Sequence, residues 1–358
     1  MNITIQQKLF KDKIKNDQYI YKYYDKIVDV FINKKITDIN ESSDKITLDI
    51  CGLYHQLITK DYVLMKKYYL MAIEKDNTNS MVNLGNHYMY IENEYDIAKE
   101  YYLYAIEIDN NDRAMYNLGY YYHYIEINYT KMKEYYLLAI EKGNIDAMFN
   151  FGYYYHYIEI NYEKMKEYYL MAIKKGNNDA MYNLGHYYQN IEKDYIKMKE
   201  YYLIAIKKGN NDAIFNLGYY YHNIVKDYEK MEYYYLMAIE KGSSSAMYNL
   251  GHFYQNIKKD YEKMKEYYLI AIEKGNINAI YSLGYYYQTI EKDYTKMKDY
   301  YLIAIEKGNS NAMNNLGYYY HTIEKDYTQM KVYYLMAIAK GEFAAVKNYN
   351  LYLNEYKL

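Results

Sequence analysis

A glycine recurs along this chain almost without drift. Gly52, Gly85, Gly119, Gly152, Gly185, Gly218, Gly251, Gly284 and Gly317 stand 33 residues apart, save for one step of 34 between Gly85 and Gly119. Self-similarity at a fixed period of this size marks an architecture in which one supersecondary unit is copied and no copy buries its apolar face alone. Nine repeats span residues 47–344. The extra residue falls in the turn Asp109–Arg113, where a stacked array absorbs an insertion between helices.

One repeat, Ala147–Asp179, shows what the unit is. Met148, Phe151, Tyr155 and Ile158 follow at spacings of three and four, which is one face of a helix. Met165, Tyr169, Ala172 and Ile173 repeat the pattern over Glu163–Lys175. Each repeat is therefore expected to hold two helices of about 13 residues, each roughly 20 Å long. Gly176 stands where a left-handed C-cap is wanted, with Lys174 and Lys175 in the last turn. Asp179 is expected to cap the next helix, with Asp146, Asp212, Ser245, Asn278 and Asn311 as equivalents. Inside the repeats, Asn128, Asn161, Asp194, Asp227, Asp260, Asp293 and Asp326 supply N-cap types at the turn. The fold class predicted is all-α: an α-solenoid, a right-handed superhelix of helical hairpins. Residues 1–46 are expected to form an N-terminal helical segment, with a helix near Asp17–Asn33. Residues 47–344 form the repeat array, and residues 345–358 a C-terminal capping helix.

Composition excludes several classes. The balance of 44 Lys and Arg against 46 Asp and Glu gives a net charge of −2, so nothing favours wrapping nucleic acid or an anionic membrane. The single cysteine, Cys51, excludes an intramolecular disulfide framework and a cysteine zinc site. The start of the chain carries no apolar run suited to a signal peptide, and no stretch approaches the roughly 18 apolar residues of a membrane span. A soluble, cytoplasmic protein is expected. The 63 tyrosines come with abundant Lys, Asn and Ile and with neither Pro nor Trp, a set that AT-rich codons favour. Tyrosine position therefore carries more information than tyrosine number.

The segment Ala114-Met115-Tyr116-Asn117-Leu118-Gly119-Tyr120-Tyr121-Tyr122 resembles the first-helix signature of the tetratricopeptide repeat and its Sel1-like relative. Met132, Tyr136 and Ala139 keep the spacing of that family's second helix, and Ala139-Ile140-Glu141-Lys142-Gly143 followed by Ala147 is similar to the Sel1-like ending. The sequence departs from it in lacking the Sel1-like G-x-G loop and in placing methionine (Met132, Met165, Met198, Met231, Met264, Met297, Met330) where alanine is usual. The Tyr-, Lys- and Asn-rich style resembles arrays encoded by giant DNA viruses of amoebae, whose setting would be the host-cell cytoplasm.

The resemblance implies that first helices line a concave surface. Their non-core positions hold Tyr116, Tyr120, His123 and Tyr124, then Phe149, Tyr153, His156 and Tyr157, then Tyr182, His186, Gln189 and Asn190. Phe215, Tyr219, His222 and Asn223 follow, with Tyr248, His252, Gln255 and Asn256, and Tyr281, Tyr285, Gln288 and Thr289. Aromatic planes beside neutral hydrogen-bonding groups suit an extended peptide or a helix. The alternative is that these rings only cover one another. The asparagine before Leu-Gly, as in Asn117, Asn150, Asn183, Asn216 and Asn249, either clamps a peptide backbone or pairs within the array, since a mid-helix Asn is unfavourable unless its side chain is bonded.

The favoured reading is a non-enzymatic scaffold that binds a protein or peptide partner and needs no cofactor. A self-associating structural component is the alternative, with Tyr19–Phe31 as the contact, and RNA binding is a minority reading. Eight histidines, His55, His87, His123, His156, His186, His222, His252 and His321, never pair at i, i+4 on one helix, so no metal site is expected. Each polar candidate is copied along the array in the same setting, whereas catalysis needs an asymmetric cluster.

Overall fold

The computed structural model describes residues 39–355. The expected helix near Asp17–Asn33 and the contact segment Tyr19–Phe31 lie outside the described residues. Two compact units divide the chain, Met1–Ala180 and Met181–Leu358. Each is built of consecutive helical hairpins, and no strand occurs among the described residues.

In the first unit the hairpins are α1 (Lys45–Tyr54) with α2 (Tyr62–Ile73), α3 (Thr78–His87) with α4 (Tyr95–Asp109), α5 (Asp112–Tyr124) with α6 (Tyr129–Glu141), and α7 (Ile145–Tyr157) with α8 (Tyr162–Lys174). The unit boundary falls inside α9 (Asn178–Tyr187), which α10 (Tyr195–Lys207) follows. The second unit continues with α11 (Asn211–Tyr220), α12 (Tyr228–Glu240), α13 (Ser244–Phe253), α14 (Tyr261–Glu273), α15 (Ile277–Tyr286), α16 (Tyr294–Glu306), α17 (Ser310–Tyr319), α18 (Tyr327–Ala339) and a last helix, α19 (Phe343–Glu355). The fold is an α-solenoid.

Most second helices have the expected 13 residues. The first helices differ: seven of them run ten residues and finish in a five-residue π-helical turn, such as Tyr188–Glu192. Only α5 and α7 run on as regular α-helix for 13 residues. The caps also correct the sequence reading. The residues that cap the first helices lie two positions earlier, where Asn144 Oδ1 accepts from the Ala147 amide at 2.9 Å and Asn177, Asn210, Ser243, Asn276 and Asn309 do the same. Asp146 and Asp212 sit inside the first turn instead. The physical reason is the glycine before each cap. Gly143 at φ +86° turns the chain so soon that the next residue already holds extended backbone and reaches the free amides.

The repeating glycine before the aromatic run does different work. A Cβ placed on Gly119 would stand 2.3 Å from Cδ1 of Tyr136, so the bare backbone is the floor on which the ring lies. The same notch recurs at Gly152 against Tyr169 and at Gly251 against Tyr268. Tyr69, Tyr102, Tyr136, Tyr169, Tyr202, Tyr235, Tyr268, Tyr301 and Tyr334 are all 0% exposed. With the alanine of the same helix and its methionine, which Ala98 replaces in α4, they form the centre of each hairpin's core. An aromatic ring buries about 150–250 Å², so these nine side chains are large terms in the stability of each unit.

Ion pairs cross from second helices to the turn of the following repeat. Lys66 meets Glu92 at 2.7 Å, Lys99 meets Glu126 at 3.1 Å, Lys265 meets Glu291 at 3.3 Å, Lys298 meets Glu324 at 2.8 Å, and Lys133 pairs with Glu159. Two rungs of the second unit break the rule. Val225 occupies the glutamate position facing Lys199, and at the next rung the signs are exchanged, with Glu232 on the helix and Lys258 in the turn. The aromatic partners change with the charge. Tyr286 and Tyr319 donate to their glutamates at 2.8 and 2.9 Å, but the exchanged rung has Phe253 there, and Tyr254 donates to Glu232 instead.

Candidate interaction surface

The first-helix positions singled out in the sequence fall into three environments. Some are open: Tyr124, Tyr153 and Tyr157 are 42%, 36% and 43% exposed, Tyr219 and Tyr285 are 44% and 45%, and His252 is exposed as well. Others are half-buried: Tyr116, Tyr120, Phe149, Tyr182, His186, Gln189, Phe215, His222, Tyr248 and Tyr281. The third group corrects the expectation of a groove-lining role, because His123 and His156 are buried, at 4% and 5%. They end regular α-helices rather than π turns, and their rings pack against Tyr129 and Tyr162.

From the third repeat to the eighth, the ring three residues before the glycine forms a second layer over the buried tyrosine. Tyr116 stacks on Tyr136 at 6.1 Å between centroids, Phe149 on Tyr169 at 5.8 Å, Phe215 on Tyr235 at 5.8 Å and Tyr248 on Tyr268 at 5.7 Å. Outer pairs then form one turn apart, with Tyr120 against Tyr124 and Tyr153 against Tyr157, both at 4.5 Å. Tyr90, which the sequence reading left out although it occupies the position of Tyr124, joins Tyr120 at 5.9 Å. Tyr90 is half open to water, yet the surrounding protein pushes its hydroxyl up to about 12, as expected for a side chain within a concavity.

The asparagines are engaged inside the array. Asn150 Nδ2 donates to the Tyr116 hydroxyl at 3.0 Å, Asn216 to Tyr182 at 3.0 Å and Asn249 to Tyr235 at 3.2 Å. Asn117 is buried and donates to Asn86 at 2.7 Å, while Asn183 is half-buried. These bonds tie one first helix to tyrosines of the preceding hairpin, so the amides serve the packing of each unit.

Gln and His alternate at the position four residues after the glycine, and the structure separates them. Gln56, Gln189, Gln255 and Gln288 each accept from the buried tyrosine of their own repeat at 2.6–2.8 Å. Where the residue is His123 or His156, the hydroxyls of Tyr136 and Tyr169 have no hydrogen-bond partner. The missed signal was legible as this Gln-to-His change, since an amide oxygen accepts from a phenol in a geometry an imidazole does not reproduce here.

At the start of the array the aromatic layer is replaced by a polar one. Buried Asp49 accepts from Ser80 at 2.7 Å and from Asn83 at 3.3 Å, and the only arginine, Arg113, donates to Asn83 at 3.0 Å. Burial pushes the nearby Cys51 thiol up to about 12, which leaves it protonated and unreactive. Among the described residues, no three His, Cys, Asp or Glu side chains converge as metal ligands, and no helix is long and apolar enough to cross a membrane.

No protein-family model matches this sequence, and no curated protein matches it. Solved structures do. The chain is similar to c5321, a protective antigen of uropathogenic Escherichia coli displaying an SLR fold, with 25% identity over 85% of this chain and 71% of that one and a TM-score of 0.58. It is also similar to a Sel1 repeat protein from Oxalobacter formigenes, with 25% identity over 63% of this chain and 99% of that one and a TM-score of 0.48. The fold is thus a repeat α-solenoid similar to the SLR fold of c5321, the kind of fold that the first-helix signature implied.

Proposed function

We propose that this chain is a non-enzymatic binding scaffold that holds a protein or peptide on the aromatic face of its first helices, in the cytoplasm. One observation carries the reading. Tyr124, Tyr153, Tyr157, Tyr219 and Tyr285 stay a third to a half exposed on helices whose other faces are buried, and no charged side chain shares their positions. Exposed aromatic surface of this kind marks interaction sites, because rings supply contact area at small entropic cost. Affinity then comes from buried aromatic area and depends weakly on salt.

A displayed peptide library selected on the wild type and on a Tyr153→Ala, Tyr219→Ala, Tyr285→Ala variant tests it, with circular dichroism to show that the variant folds. Peptides retained by the wild type and lost from the variant are the expected outcome. Equal recovery on both proteins would remove this face as the working surface. Self-association is the second reading, favoured by the row of half-exposed leucines on the second helices, such as Leu137, Leu170, Leu236 and Leu269. A mass by light scattering that stays monomeric at every concentration removes it.

A further inference from the structure

The third and fourth repeats combine two independent features, of which the ninth shares the first, through Tyr334. Their buried tyrosines, Tyr136 and Tyr169, carry hydroxyls with no partner, although a buried donor left unpaired is costly. Around them stand four exposed rings, Tyr90, Tyr124, Tyr153 and Tyr157, with half-buried Tyr120 between Tyr90 and Tyr124. Besides burial, the charges that raise the Tyr136 hydroxyl are those of Tyr116, Tyr124, Tyr120 and Tyr90, and Tyr157 and Tyr153 act on Tyr169 in the same way, while His123 and His156 pack edge-on against the two buried rings at 6.4 and 6.1 Å. The orphaned donors therefore lie beneath the exposed rings.

We propose that this face takes an uncharged, proline-rich segment in the polyproline II conformation, whose rings lie on the tyrosines and whose carbonyls accept from Tyr136 and Tyr169. The inference rests on the scaffold reading and names its ligand class. Three features select this ligand. Polyproline II has no internal hydrogen bonds, so its carbonyls are free, and proline brings no N–H, so the ligand is an acceptor that meets donors. Its rise of about 3.1 Å per residue, three residues to the turn, advances about 9.3 Å per turn. Its three-residue turn presents a free carbonyl on the same side at each such step. The face is also neutral: the charges at its edge are Asp146 and Arg113, and Arg113 donates to Asn79 and Asn83. A phosphate backbone finds no cation among the five rings. The chain holds no proline, so the ligand comes from another molecule. The half-exposed Tyr120–Tyr124 pair swings outward to admit it, a rotamer change and no more.

The test is a titration of fluorescein-labelled oligoproline of about ten residues, beside a Gly/Ser peptide of equal length, read by anisotropy. The wild type should bind oligoproline and not Gly/Ser, with little change on adding salt. The Tyr136→Phe, Tyr169→Phe variant should lose about tenfold in affinity while its melting temperature does not fall, and Tyr202→Phe, Tyr268→Phe should bind as the wild type does. Tyr124→Ser, Tyr157→Ser, which leaves both buried tyrosines in place but uncovers His123 and His156, should weaken binding as well, with a melting curve to show that the variant folds. Equal binding of both peptides, or full affinity in the paired Phe variant, overturns the inference. Library selection keeps it separable from the scaffold reading: face-dependent peptides without proline overturn the ligand class alone, and no face-dependent peptide overturns both.

Discussion

Gly119 and Gly143 are glycines for opposite reasons. The first is helical, and a Cβ there would press into the Tyr136 ring. The second has φ +86° and nothing within 4 Å of where its Cβ would be. Gly119→Ala should therefore cost about 1–3 kcal/mol through overpacking, and Gly143→Ala about 1 kcal/mol through backbone strain. Urea midpoints check both, and only the first should be partly relieved by Tyr136→Leu, since the two residues touch. The buried hydroxyls give a sharper contrast. Tyr136→Phe removes an unpaired donor and should stabilise by about 1 kcal/mol, whereas Tyr202→Phe strips Gln189 of its bond and should destabilise by a similar amount. Equal effects of the two would mean that the Tyr136 hydroxyl is paired. Spacing alone made the buried tyrosine row legible. It did not show which hydroxyls are satisfied, because that depends on a neighbour thirteen positions earlier in another helix.

The turn between the two helices of each hairpin sets the next level. Its tightest residue is left-handed in every repeat, and Lys193, Lys226, Lys259, Lys292 and Lys325 bear it with φ near +60°. In the third and fourth repeats the same position is Ile127 and Ile160, β-branched residues that pay most for that conformation. Both are more than half exposed, so little packing is lost on replacing them. Ile127→Asn should raise the urea midpoint by about 1 kcal/mol of stability with an unchanged slope, and a fall would show that the side chain packs usefully. The hairpins themselves and the N-caps at their inner turns were readable from periodicity and residue type. The π-helical ends were not, since a π turn changes which carbonyl is bonded without changing the number of residues between glycines. The first-helix caps were misplaced for a related reason: two polar residues lie two apart, and only backbone geometry chooses between them.

Across each whole unit, histidines that folding partly or wholly desolvates couple stability to pH. Burial holds His55 and His123 in the first unit, and His186, His222 and His252 in the second, below their ordinary value of 6.5. The unfolded chain then binds protons that the native chain refuses, so stability is complete above that value and falls as pH drops through it. Below the ordinary glutamate value of 4.5 a second loss begins, because pairing with lysine holds Glu92, Glu159 and Glu324 low, and the Tyr286 hydroxyl, with Lys265 beside it, does so for Glu291. The urea midpoint should be lower at about pH 5.5 than at about pH 7.5, and an unchanged midpoint would mean that these rings are protonated in the native state. The layered rings also have an optical consequence. With 63 tyrosines and no tryptophan, all intrinsic emission is phenolic, and centroids 4.5–6 Å apart lie well within the range over which one excited phenol passes its energy to the next. The folded protein should therefore emit strongly depolarised light, and unfolding, which separates the rings, should raise the anisotropy that it ordinarily lowers.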